Sequence, residues 1–124
     1  MTWYVASVIM SMRKKGRKRK KIPIYENFML IEAENSDQAL EKAVNIAKNE
    51  AAVNDDLRLN GKPAKMVFEG IRKLITISNP VDRDLDSVPP TTGTELTYSE
   101  YLIKTKKQLN NLISGKPVKI KYIE

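Results

Sequence analysis

Cysteine and histidine are both absent from this chain of 124 residues. Without cysteine there are no disulfides, no thiol chemistry and no thiolate zinc site. Without histidine there is no side chain whose unperturbed pKa lies near neutrality. An enzyme built from these residues needs carboxylates, lysines or tyrosines moved far from their usual pKa. Only five glycines occur, scattered so that no phosphate-cradling pattern forms. No apolar run approaches the roughly 18 residues that cross a bilayer. The opening MTWYVASVIMSM is briefly like a signal-peptide core. Its positive charge follows the apolar stretch, however, and no small-residue cleavage site appears. The expectations are a cytoplasmic, non-enzymatic protein with no cofactor, no metal and no membrane partner.

What is present is charge, unevenly placed. Eight of the 22 basic residues stand in one stretch: Arg13, Lys14, Lys15, Arg17, Lys18, Arg19, Lys20 and Lys21, around Gly16. The other 14 basic residues face 15 acidic ones, so the net charge of +7 belongs to one segment. At 41% hydrophobic and 30% charged residues, the chain reads as one ordinary globular domain over 1–124.

Residues 2–12 are rich in β-branched and aromatic types and apolar on both parities, which predicts an interior strand. Residues 22–33 predict a second strand, weakly paired near Pro23. The two form a long hairpin whose tip, 13–21, is basic. A helix over 35–50 follows, with Asn35 as cap and Gln38 three residues on. Ala39, Leu40, Ala43, Val44, Ile46, Ala47 and Ala51 are its expected apolar side, its alanines packed closely on a sheet. Residues 51–63, with Asn60-Gly61 and Pro63, predict a loop with room for a short hairpin. Residues 64–77 predict a third strand with a bulge at Gly70, and 79–93 a long acidic, proline-rich loop. For 94–104 both strand and helix fit; strand to about Ile103 is the expectation. A short helix then runs through Leu109 and Ile113 to Gly115, and Val118, Ile120 and Tyr122 predict a half-exposed final strand. The helix–strand stretch 105–124 is a C-terminal extension. The predicted class is α+β: a mainly antiparallel sheet of about four to five strands with one long and one short helix on one face.

Trp3-Tyr4-Val5-Ala6 opening a strand, Tyr25-Glu26, and Ile31-Glu32-Ala33-Glu34 leading to Gln38-Ala39 and Lys42-Ala43 resemble the bacterial domain of unknown function 4288 family. Phe68-Glu69-Gly70-Ile71 and Gly93-Thr94-Glu95-Leu96 are similar to its second half, in order. The resemblance covers about residues 2–104. The basic tip, the proline-rich insertion and the tail from Lys106 depart from it. It implies the fold and a bacterial origin, and no chemistry.

The basic run has two readings. It can contact a polyanion such as nucleic acid through phosphates, with little sequence preference because no aromatic platform is interleaved. It can equally be a solvated tip that discourages edge-to-edge strand pairing. A nuclear-localisation address is a third reading, against which the bacterial resemblance counts. Glu26 and Glu95 lie within the motifs of the resemblance, and with Tyr25 and Tyr98 they are the candidate lining of a shared pocket. The alternative is that such strand carboxylates, Glu100 among them, pair with Lys or Arg across the sheet. Trp3 and Tyr4 are expected in the core or a dimer interface. Asp82, Asp84 and Asp86 lack the glycine and distal glutamate of a calcium loop. A protein–protein module, a regulator or immunity-type inhibitor using the sheet surface and the acidic loop, is the competing function. A homodimer through the edge at Pro117–Glu124 is also expected.

Overall fold

The computed structural model describes residues 1–14, 22–53, 58–59, 61–78 and 89–123. Strand β1 (Thr2–Lys14) is the centre of the sheet, between β2 (Ile24–Ala33) and β4 (Lys62–Thr76), and antiparallel to both. Its apolar composition on both parities suits that place, because a central strand has covered faces and two satisfied edges. The two-residue β3 (Arg58–Leu59) turns through Gly61, at φ 77°, to pair with the outer edge of β4. A positive φ there favours glycine. The main sheet therefore has three long strands, where four to five strands were expected, with this two-residue fragment on its outer edge.

Helix α1 (Ser36–Val53) covers one face. Its start follows the predicted signal: Asn35 Oδ1 accepts from the Gln38 N–H at 2.9 Å, while Gln38 Oε1 accepts from the Glu34 N–H at 2.7 Å. Ala39, Ala43 and Ala47 are wholly buried against Tyr4, Ala6, Val8, Met10, Ile31 and Ala33. Leu40 and Ile46, expected on the same side, are exposed. The buried stripe is narrower than the sequence pattern because small side chains at a four-residue spacing bring the backbone close to the sheet.

The bulge expected at Gly70 is displaced. Gly70 pairs with Ile9, and the register shifts on either side of it, so Glu69 and Arg72 are the residues without a direct partner on β1. A bulge residue is freed from the strict alternation of the strand, and both Glu69 and Arg72 meet charges at the sheet's other surface.

Beyond β4 an isolated bridge joins Ser78 to Glu95. Residues 96–99 have no ladder; β5 (Glu100–Leu102) then pairs with β6 (Lys121–Ile123) as a separate two-stranded sheet. The strand reading of 94–104 thus survives only at Glu100–Leu102, and the final strand is shorter than predicted. Between them, α2 (Lys106–Ile113) is capped by Thr105 and Gln108 and stopped at Gly115, at φ 73°. This helix has no buried residue and makes no close backbone approach to the main sheet. The expectation that both helices share one face holds for α1 only. The class is α+β as predicted.

The candidate polyanion interface and the open face of the sheet

At the end of the hairpin, β1 outruns β2: their last pair is Ser11 with Ile24, and Met12 N–H donates to Pro23 O at 3.1 Å. Of the predicted basic set, Arg13 and Lys14 end β1, whereas Lys15, Arg17, Lys18, Arg19, Lys20 and Lys21 lie outside the described residues. Arg13 is already engaged. Its guanidinium meets Glu69 at 2.6 Å and its Nε donates to Ser11 Oγ at 3.2 Å, while the Ser11 hydroxyl donates to the same carboxylate. The hydroxyl and then the guanidinium hold the Glu69 carboxyl below its usual range. Arg13 is therefore the compensated foot of the basic run.

The register adds cations that the linear sequence hides. Lys65 stands opposite Arg13, with Lys62 farther along β4 and Arg58 beside it on β3, at the sheet end from which the run departs. They lie some forty residues from the run in sequence, and nothing local marks them as its companions.

The four pocket candidates separate. Tyr25 pairs with Met10 and stands on the helix-covered face, whereas Glu26 pairs with Ile9 on the opposite, open face. Adjacent strand residues point to opposite sides, so the pair cannot share a pocket. Glu26 takes the alternative role instead, with a carboxylate oxygen 3.9 Å from Arg72 Nε. Tyr98 and Glu95 do line one cleft, of about 190 Å³, with Ile75 and Thr97. Tyr98 also borders a second cleft of about 130 Å³ with Arg72, Lys73 and Tyr122.

Arg72, Lys73 and Tyr122 were not candidates from the sequence, yet they organise this face. The Arg72 guanidinium lies 3.8 Å from the centre of the Tyr122 ring, within the range of a cation–π contact. Lys73 Nζ donates to the Tyr98 carbonyl and lies 5.5 Å from its ring. Tyr101 meets Tyr122 edge-on at 5.0 Å, and the Tyr122 hydroxyl is 2.6 Å from Ser99 Oγ. Two cations of β4 thus dock the C-terminal segment against the face opposite α1. The rest of that face is open: Phe28 and Leu30 on β2 are 52% and 51% exposed, with Ile24 beyond them.

Among the described residues no group of acidic side chains could hold a metal ion, and no helix is long and apolar enough to cross a membrane. Asp82, Asp84 and Asp86, with most of the acidic loop, lie outside the described residues. No curated protein and no solved structure matches the chain. The domain of unknown function DUF4288 matches residues 3–96, which hold β1 to β4, α1, Glu26 and Glu95 and leave out β5, α2 and β6. With more than half its length in that match, the chain belongs to the DUF4288 family.

Proposed function

We propose that this protein is a non-enzymatic binding module whose basic hairpin contacts the phosphate backbone of nucleic acid. The observation that carries this reading is the gathering of charge at one end of the sheet. Seven cations follow Arg13 between Lys14 and Lys21, and the register sets Lys65 and Lys62 at the foot of the same run. Lysine and arginine heads without a recognition helix neutralise phosphates and release counterions, but do not read base edges. The Arg13–Glu69–Ser11 cluster gives the basic run a fixed base.

The test is fluorescence anisotropy with duplexes of unrelated sequence over a range of salt. Binding is expected to be alike for all duplexes, with a log–log salt slope of about −3 to −6. Replacing Lys14, Lys15, Lys18 and Lys20 by Ser should abolish binding and leave the melting temperature almost unchanged. Lys65→Ser should reduce the slope by about 1. No binding at low salt overturns the proposal.

One observation favours a second reading, a protein–protein module. Ile24, Phe28 and Leu30 form an exposed apolar row on an edge strand, and such rows mark interaction surfaces. A salt-tolerant complex with one defined protein, lost in Phe28→Ser, supports it. The homodimer belongs to this reading too; light scattering at the monomer mass of 14.1 kDa at high micromolar concentration refutes that form.

A further inference from the structure

Between Glu100 and Glu124 the chain carries six lysines and no acidic residue. This second basic segment lies beyond the family match and forms the β5–α2–β6 unit. Its strands pair for only three residues, from Glu100 with Ile123 to Leu102 with Lys121. The same register continued sets Ile103 opposite Ile120 and Lys104 opposite Lys119, yet the ladder stops there. Like charges directly opposite one another destabilise an antiparallel pair, which accounts for the parting of the strands at this point.

The parted strands enclose a cleft of about 610 Å³, within the size range of small-molecule sites. Leu102, Ile103 and Ile120 supply its apolar wall, and Lys104, Lys119 and Lys121 its charge. The remaining polar group is Gln108 of α2, whose Oε1 accepts from the backbone N–H groups of Lys104 at 2.7 Å and Thr105 at 3.2 Å. Its carbonyl is committed to the helix cap, so its amide offers a ligand only N–H donors. Every polar side chain lining the cleft is therefore a donor, and no carboxylate is among the described residues that line it.

We propose that this cleft binds an amphiphilic anion: a carboxylate or phosphate head between Lys104 and Lys119, with an aliphatic body against Leu102, Ile103 and Ile120. The head neutralises the repulsion that parts the strands, and the body covers apolar surface that is otherwise left to water. The site is distinct from the basic hairpin, which stands on β1 and β2 of the other sheet.

Isothermal titration of the full chain with decanoate below its micelle concentration tests the proposal. Decanoate and decyl phosphate should bind, acetate at least about tenfold more weakly, and decyltrimethylammonium not at all, since head charge and chain are both required. Lys104→Gln with Lys119→Gln should weaken decanoate about tenfold or more at unchanged circular dichroism, and Ile120→Asn should do likewise. The quadruple lysine variant of the hairpin tip should bind decanoate as the parent does. Equal binding of decanoate and decyltrimethylammonium overturns the proposal, as do unchanged affinity in the double variant and loss of affinity in the tip variant. Binding to phosphatidylglycerol vesicles without binding to monomeric decanoate also overturns it, in favour of a lipid surface.

Discussion

Ser7 and Ser11 are both wholly buried on β1 and both face the side of the sheet away from α1, but their circumstances differ. The Ser11 hydroxyl donates to Glu69 and accepts from Arg13, whereas Ser7 Oγ has no hydrogen-bond partner among the described residues. Removing a bonded buried hydroxyl leaves its partners unsatisfied, while removing an unbonded one leaves nothing behind. Ser11→Ala should therefore destabilise by on the order of 1 kcal/mol and Ser7→Ala by near zero, as read from denaturant midpoints. Glu69 gives this cluster a pH dependence. Its folded pKa lies below the ordinary value of 4.5, so its contribution is fully present above about that pH. It is lost as pH falls through the lowered value. The melting-temperature gap between the parent and Glu69→Gln should accordingly be open at neutral pH and close in acid; a gap that persists in acid would show that Glu69 acts by packing.

At the scale of elements, α1 invites the sharpest test, because its alanine stripe leaves no space or partner for a charge. Ala43→Asp should cost several kcal/mol, much of a small domain's margin, whereas Asn45→Asp on the exposed side should matter little. Equal melting temperatures would mean that the helix presents another face. This helix, its cap and the central strand were legible because each rests on a local signal: Asn35 with Gln38, alanines at a four-residue spacing, and apolar residues on both parities of β1. The antiparallel pairing of β1 with β2 was legible for the same reason; the basic tip beyond Lys14 lies outside the described residues. The site residues were not. Tyr25 and Glu26 are neighbours in sequence yet occupy opposite faces, a consequence of strand alternation that only a fixed register reveals. Arg72 and Glu69 gained their roles from two bulges whose positions depend on pairing with β1, and Gly70, the visible signal, marks their neighbourhood without being either. Lys65 joins the basic end through the β1–β4 ladder and Lys62 lies beyond it on β4, a pairing for which a single sequence carries no signal.

Over the whole molecule, burial divides close to where the family match ends. The α1-covered sheet holds the hydrophobic core, and the family match ends at residue 96, before β5 begins. The C-terminal unit adds lysines and exposed apolar side chains, among them Ile113 at 74% exposure, and α2 contributes nothing buried. Among the described residues the stack of Arg72 on Tyr122 joins it to the main sheet, and the bond from Lys73 to the Tyr98 carbonyl holds the segment just before it. A cation–π contact of this sort is worth about 0.5–2 kcal/mol, a fraction of the margin expected for the core. A chain ending at Ser99 keeps Tyr98 and loses Tyr122, so it should retain α1 and a single cooperative melt. Its transition should fall by about 4–8 °C, the shift that about 1 kcal/mol produces in a domain of this size. Circular dichroism through the melt reads both features. Loss of cooperativity on truncation would show instead that β5, α2 and β6 complete the core and that the stack on Arg72 closes one continuous structure.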